Sequence, residues 1–194
     1  YYLLGELAAL DFYRELYDAL KERVDNKVGV IKNEKYRLLW GGGLPPWHTL
    51  SIFNYFEGLG AIFTIETSYH PPEPVEPVGK DVHPLERLAS RFLTRVMRSQ
   101  ERAQKGCGDS RVQQILDLLE EYKNVGMMMH QARSCRAMSL GQIHFKNMVQ
   151  EHIKVPTMFM ESDIVDVRDY SEAQTKMQVN AFMDAVESYV QSLN

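Results

Sequence analysis

The feature that most constrains the fold is an alternation of short apolar runs with longer amphipathic segments. The four apolar runs begin near Tyr36, Ala61, Val125 and Val155. Amphipathic helices are predicted over residues 7–24, 49–59, 85–103, 110–122, 142–153 and 171–190. This order specifies βαβ units, and short strands that are apolar throughout are covered on both faces. The sequence therefore predicts an α/β fold, a three-layer flavodoxin-like domain with a four-stranded parallel sheet and an N-terminal helix.

Size and charge narrow the class of protein. The chain has 194 residues, enough for one domain, so we expect a single α/β domain over residues 1–194. Twenty-two basic and 26 acidic residues give a net charge of −4, which argues against a nucleic-acid partner. No apolar run reaches the roughly 20 residues of a membrane span, so no membrane partner is expected. The two cysteines, Cys107 and Cys135, form no disulfide framework and predict a cytoplasmic protein with reduced thiols.

Capping patterns predict where three of the helices begin. The patterns Ser110-x-x-Gln113, Ser139-x-x-Gln142 and Ser171-x-x-Gln174 are typical of capping boxes at helix starts. The segment 85–103 is predicted to be basic on its outer side. The methionines at 127–129 are predicted to fill the core rather than to bind a ligand.

Polar residues follow three of the predicted strands, within residues 41–49, 130–142 and 161–170. The carboxyl ends of parallel strands lie at one edge of a sheet, where ligands bind in open α/β folds. We therefore expect the strand ends to form one pocket. The residues expected to cluster there are Trp47, His48, Cys135, Ser139 and Glu161.

Cys135 lies where a buried strand passes into a helix. A helix start and the flanking Arg133 and Arg136 favour a thiolate, which can attack electrophiles or bind a metal. Pairing of Cys135 with His130 or His144 would make a nucleophile. The alternative is a semi-buried structural cysteine.

Other candidates at the same edge also have two interpretations. The loop 41–49 can hold a phosphate or carboxylate at a helix start, or can be a plain Gly/Pro-rich connector. The acidic cluster within residues 161–169 can bind a hard cation, or can cap helices and pair with Arg168. His130 can serve the pocket, or can be a hydrogen-bonded structural histidine.

Three blocks of this sequence resemble the 2-hydroxyacyl-CoA dehydratase / benzoyl-CoA reductase family. The first comprises residues 36–40 (Tyr-Arg-Leu-Leu-Trp), 45–48 (Pro-Pro-Trp-His) and 56–61 (Phe-Glu-Gly-Leu-Gly-Ala). The second comprises residues 133–136 (Arg-Ser-Cys-Arg) and 139–142 (Ser-Leu-Gly-Gln). The third comprises residues 155–157 (Val-Pro-Thr), 161–166 (Glu-Ser-Asp-Ile-Val-Asp) and 168–174 (Arg-Asp-Tyr-Ser-Glu-Ala-Gln), and it is the most specific.

The resemblance implies an oxygen-sensitive enzyme of two homologous subunits, each holding a [4Fe–4S] cluster through three cysteines. An ATP-hydrolysing activator protein delivers one electron to an acyl-CoA substrate, which forms a ketyl radical anion. In dehydratases this radical expels the hydroxyl group to give an enoyl-CoA; in the benzoyl-CoA relatives the aromatic ring is reduced. The cysteine of the Arg-Ser-Cys-Arg block, Cys135, is the implied metal ligand. Substrate-binding candidates are Trp47, His48, His130, Ser139, Gln142 and Glu161.

The resemblance covers only the C-terminal half of a family subunit. Two of the three cluster cysteines belong to the other half, and Cys107 lies in no family motif. We therefore expect this chain to be a fragment of a larger subunit, inactive alone and without the cluster. We also expect exposed apolar surface around Trp47 and Cys135, where a partner subdomain would pack. A stand-alone module that binds acyl-CoA or a nucleotide, and a thiol enzyme, are the alternatives.

Overall fold

The computed structural model describes residues 7–42, 45–67, 79, 81–136 and 142–193. The chain divides after Glu34 into two compact units. The first contains helix α1, Leu7–Asp25, which has the predicted extent to within one residue. Within α1 only Ala9 is buried, and the predicted apolar stripe, including Leu10, Leu16 and Leu20, is exposed.

The second unit is built on the predicted sheet. Its strands are β1 (Tyr36–Gly42), β2 (Ala61–Glu66), β3 (Gly126–Ala132) and β4 (Thr157–Ser162). They lie in the order β2-β1-β3-β4 and every neighbouring pair is parallel. This confirms the predicted α/β fold, and the order is that of flavodoxin-like sheets. From β1 the chain adds β2 on one side, and it then adds β3 and β4 on the other side. The switch point of the fold therefore lies between the carboxyl ends of β1 and β3.

Helices cover the sheet on both faces. Their bounds are α2 Ser51–Gly58, α3 Pro84–Lys105, α4 Ser110–Glu121, α5 Gln142–His152 and α6 Glu172–Ser192. Helices α2 and α6 pack on one face and α4 and α5 on the other, each forming a separate buried cluster. Successive strand residues point to opposite faces. Thus Met128 enters the α2/α6 cluster, whereas Met127 and Met129 enter the α4/α5 cluster, and their predicted role as core residues is confirmed.

Helix α3 does not face the domain with the side that the sequence predicted. None of its residues is buried, and its large apolar side chains are exposed: Leu85, Leu88, Phe92, Leu93, Val96 and Met97. The predicted basic outer side is wrong for Arg87, Arg98 and Arg102, which lie on the half-buried side. Arg102 Nε lies 3.5 Å from Asp117 Oδ2 of α4. The nearby sheet face is already covered by α4 and α5, so the apolar side of α3 has no place in that core.

The helix starts agree with the sequence in one of two cases. Ser171 caps α6 as predicted, since its hydroxyl accepts a hydrogen bond from the backbone N–H of Gln174. At α4 the prediction of Ser110 is wrong, because Asp109 Oδ1 accepts from the N–H groups of Arg111 and Val112. The ionised carboxylate is the stronger acceptor for these N–H groups. The third pattern, at Ser139, lies outside the described residues.

The cap at α4 leads to a stability prediction. We expect Asp109→Ala to lower the free energy of unfolding by about 1 kcal/mol, the usual effect of losing an N-cap. Ser110→Ala should change it by less than about 0.5 kcal/mol, because alanine is well tolerated inside a helix. Urea unfolding of both variants measures the difference. Equal losses in the two variants would contradict the assignment of Asp109 as the cap.

Within the described residues, no helix combines the length and apolar character needed to cross a membrane.

Candidate functional site

The loops that follow β1 and β4 lie against each other at the carboxyl edge of the sheet. The backbone N–H of Trp47 donates to the carbonyl oxygen of Ile164 at 3.0 Å. The ring nitrogen Nε2 of His48 donates to the carbonyl oxygen of Asp163 at 3.1 Å. The His48 ring also meets Tyr170 edge-on, with 5.6 Å between ring centroids. These contacts join the β1 loop to the β4 loop beside the switch point.

The loop after β3 is held by the same β4 segment. The backbone N–H of Arg133 donates to the carbonyl oxygen of Ser162 at 3.2 Å. Its guanidinium donates to Asp169 at 2.6 Å, and Nη2 lies 3.5 Å from Glu161 Oε2. Arg133, predicted to favour a thiolate at Cys135, is therefore engaged by two carboxylates. The strand ends thus come together as predicted from their positions.

The two cysteines lie in different surroundings. Cys135 is half-buried, follows the bend at residues 133–134 after β3, and forms no disulfide. Cys107 lies between α3 and α4, where its thiol donates to the carbonyl oxygen of Asp109 at 3.4 Å. Cys107 also packs against the α4/α5 core. Among the described residues, no group of three His, Cys, Asp or Glu side chains could hold a metal ion.

The acidic cluster consists of caps and pairs in this structure. Asp163 Oδ1 accepts hydrogen bonds from the backbone N–H groups of Val165 at 2.8 Å and Asp166 at 2.9 Å. Asp166 caps a short 3₁₀ turn, Val167–Asp169, and its carboxylate binds the Arg168 guanidinium. These contacts favour the capping interpretation over the cation site.

Asp163 is held strongly in its ionised form. A hydrogen bond from the Ser134 hydroxyl and those from the two backbone N–H groups lower its pKa from 3.8 to about 2. A carboxyl whose pKa is lower in the folded state stabilises the fold above its unfolded pKa, and this contribution disappears as the pH falls through the folded value.

We therefore expect a pH-dependent difference between the native chain and the Asp163→Asn variant. The melting temperature of the native chain should exceed that of the variant most at about pH 5. The difference should shrink as the pH is lowered to about 2, because Asp163 then becomes neutral. Thermal unfolding across this range measures the effect. A difference that stays constant with pH would contradict the assignment of the charge as its source.

His130 is buried inside β3 rather than exposed at its end, because β3 continues two residues beyond it to Ala132. Its Nε2 lies 2.9 Å from the hydroxyl oxygen of Ser162, the last residue of β4. Its ring centroid lies 6.2 Å from that of Trp40. The hydrogen-bonded arrangement is the structural one that the sequence left as an alternative. Ser162 was not among the candidates, and only its position at a strand end could have suggested it.

An open cavity of about 540 Å³ adjoins the Cys135 loop. It is lined by six polar or charged residues: Arg133, Ser134, Asp163, Asp166, Arg168 and Asp169. Apolar side chains are exposed on the same loops, with Trp47 64% exposed and Leu50, Val165 and Val167 more than half exposed. Exposed apolar side chains are therefore present around Trp47 as expected, whereas the exposed residues next to Cys135 are Arg133, Ser134 and Arg136.

The predicted substrate-binding residues are distributed unevenly around this edge. Trp47 and His48 lie in the 3₁₀ turn Trp47–Thr49 after β1, and Glu161 is exposed near the end of β4. Gln142 is the first residue of α5. Ser139 lies outside the described residues. The β4 loop therefore contacts the β1 loop through His48, and β4 contacts the β3 loop through Glu161.

Comparison with known proteins identifies the family. The family model for the 2-hydroxyglutaryl-CoA dehydratase D-component matches residues 1–186. This chain belongs to the 2-hydroxyglutaryl-CoA dehydratase D-component family. The chain is also 27% identical over 198 residues to a subunit of the benzoyl-CoA reductase of Thauera aromatica. That alignment covers 94% of this chain and 43% of the relative, so the chain spans less than half the length of that family relative.

A cluster held by three thiolates, which the family resemblance implies, does not fit the cysteines of this chain alone. The chain has two cysteines, and the thiol of Cys107 is hydrogen-bonded to the backbone carbonyl of Asp109. Cys135 is half-buried just after the bend at residues 133–134, and it would be at most one of the three ligands. A complete set would need thiolates from outside these residues.

Proposed function

We propose that this chain is part of a subunit of a 2-hydroxyacyl-CoA dehydratase, which removes water from a 2-hydroxyacyl-CoA to give an enoyl-CoA. The observation that carries the proposal is the family match over residues 1–186. The position of Cys135 at the carboxyl end of β3 supports it, because ligands of open α/β sheets bind at this edge.

The proposed cofactor of the whole protein is a [4Fe–4S] cluster with Cys135 as one ligand. The proposed partners are a homologous second subunit and an ATP-hydrolysing activator protein, and the proposed location is the cytoplasm. Residues on the β1 and β4 loops, Trp47, His48 and Glu161, would contact the acyl-CoA. Trp47 is suited to this because it presents an exposed aromatic surface at the edge where the loops meet.

A second candidate is a reductase of aromatic acyl-CoA. The observation that favours it is the 27% identity to a protein named as a benzoyl-CoA reductase subunit. Both candidates use an acyl-CoA thioester, and they differ in what happens to the acyl group.

One experiment separates the two candidates. The full-length protein, its second subunit and its activator are purified without oxygen and supplied with ATP and dithionite. They are then offered either a 2-hydroxyacyl-CoA or benzoyl-CoA, and the products are identified by mass spectrometry. We expect an enoyl-CoA that is lighter by one water from the first substrate. A ring-reduced product from benzoyl-CoA alone would favour the reductase, and no product from either, with iron present, would contradict both.

A further inference from the structure

Arg133 binds both ends of the loop that follows β4. Its Nη1 donates to Asp169 Oδ1 at 2.6 Å, and its Nη2 lies 3.5 Å from Glu161 Oε2. Glu161 lies in β4, and Asp169 ends the 3₁₀ turn after that strand. The backbone N–H of Arg133 also donates to the carbonyl oxygen of Ser162, one residue beyond the end of β3. One arginine therefore joins the β3 loop to the start and to the end of the β4 loop.

The charges around Arg133 form a small network rather than a single pair. A lone exposed ion pair contributes little, because solvent screens it and two side chains lose conformational freedom. Arg133 has two carboxylate partners, Glu161 and Asp169, and the backbone of Arg133 is fixed independently by its hydrogen bond to Ser162. Exposed charges that form a network of good geometry do contribute to structure. The contacts of Arg133 are therefore able to hold the two loops together.

The position of Cys135 depends on that of Arg133. Cys135 follows Arg133 by two residues, and two residues span at most about 7 Å. The β4 loop is in turn hydrogen-bonded to Trp47 and His48 of the β1 loop, at 3.0 and 3.1 Å. The contacts thus run without a break from the β1 loop, through the β4 loop and Arg133, to the segment that contains the thiol.

We propose that Arg133 is a positioning residue: by binding both ends of the β4 loop, it fixes Cys135 relative to Trp47 and His48. The sequence predicted that the charge of Arg133 favours a thiolate at Cys135. The two carboxylate partners direct that charge to the β4 loop instead. The significance of this for a metal ligand rests on the proposed function. The positional claim concerns this chain alone and can be tested without a cluster.

The test is the rate at which iodoacetamide alkylates Cys135 relative to Cys107 in the same molecule, measured by mass spectrometry. Arg133→Gln removes the charge but keeps a long polar side chain and the backbone N–H. It should raise the ratio by about threefold, the size expected from losing an exposed network of ion pairs. A direct effect of the Arg133 charge on the thiolate has the opposite sign, because its loss would lower the ratio. An unchanged or lower ratio would overturn the proposal.

The pH separates the release of the loop from a change in thiol ionisation. Cysteine thiols ordinarily ionise near about pH 8.5, so at about pH 10 a neighbouring charge no longer changes the amount of thiolate. The rise in the ratio caused by Arg133→Gln should therefore persist at this higher pH. A rise that is present near neutral pH and disappears at the higher pH would assign the effect to ionisation, and the proposal would fail.

Two further variants provide the controls. Arg168 lines the same cavity, but its guanidinium binds Asp166 within its own loop, so Arg168→Gln should leave the ratio unchanged. Asp169→Asn weakens the closest contact of Arg133 and should also raise the ratio. The double variant of Arg133 and Asp169 should rise by less than the product of the two single effects, because both changes break one contact. Independent effects of the two changes, or an equal rise in Arg168→Gln, would refute the proposal.

A second readout on the full-length protein links the geometry to the proposed function. Arg133→Gln should speed the loss of iron to the chelator ferrozine, whereas Arg168→Gln should not. A raised alkylation ratio with native iron loss would contradict the assignment of Cys135 as a cluster ligand and leave the positioning role of Arg133 standing. An unchanged alkylation ratio would overturn the positioning role, whatever the iron measurement gives.

Discussion

We expect Cys135→Ser to lower the iron affinity of the full-length protein, prepared without oxygen, by at least about tenfold. The thiolate is the form that binds iron, and a serine hydroxyl does not replace it. The matched control is Cys107→Ser, which should retain native iron. The thiol of Cys107 donates a hydrogen bond to the backbone carbonyl of Asp109, and the residue packs against the α4/α5 core. Cys107 also lies in no family motif.

The measurement is iron per subunit, together with the visible absorbance of the cluster. Full iron in Cys135→Ser would remove Cys135 from the ligand set and with it the central residue of the proposed site. Equal loss in both variants would mean that Cys107 is also a ligand. Both proteins should first be shown to be folded, for which circular dichroism suffices.

The second large effect concerns Gly42, the last residue of β1 at the switch point. We expect Gly42→Ala to lower the free energy of unfolding by about 3 kcal/mol, combining a strained backbone with a steric clash. Gly42 has φ +88°, and an added Cβ would lie 2.4 Å from the carbonyl oxygen of His130. That oxygen belongs to the backbone of β3 and cannot move without separating the two strands.

Gly108 provides a matched control, because its φ is +87° and nothing lies within 4 Å of an added Cβ. Gly108→Ala should therefore lower the free energy of unfolding only by the backbone strain of alanine at this positive φ, about 1 kcal/mol. Urea unfolding followed by tryptophan fluorescence reports on the second unit, which contains both tryptophans, Trp40 and Trp47. Equal losses at Gly42 and Gly108 would show that the close approach of β1 to β3 contributes nothing.

The sequence predicted the sheet well because its strands are marked by local signals. Each of the four apolar runs is bounded by breakers or by amphipathic helices, and each became a parallel strand within two residues of its predicted start. The helix starts were predicted less well. Asp109 and Ser110 are adjacent and both are good capping residues, so the pattern alone did not separate them.

Features that depend on contacts distant in the chain could not be read from the sequence. The side of α3 that faces the domain depends on the ion pair between Arg102 and Asp117 of α4. It also depends on α4 and α5, which cover the nearby face of the sheet. The burial of His130 depends on Ser162, which lies on the neighbouring strand 32 residues away. The meeting of the strand ends followed from the parallel order, but the hydrogen bond from His48 to the backbone of Asp163 did not.

Oxidation of the three methionines of β3 can report whether the chain has unfolded. Met127, Met128 and Met129 are at most 1% exposed, whereas Met97 and Met177 are at least half exposed. Oxidation adds a polar oxygen to the thioether, which a packed core cannot accept. Peroxide should therefore reach Met97 and Met177 in the native chain, and reach residues 127–129 only in molecules that have opened. Sulfoxide in the peptide containing β3 would thus distinguish a preparation that has unfolded and been oxidised from one that lost activity with its core intact.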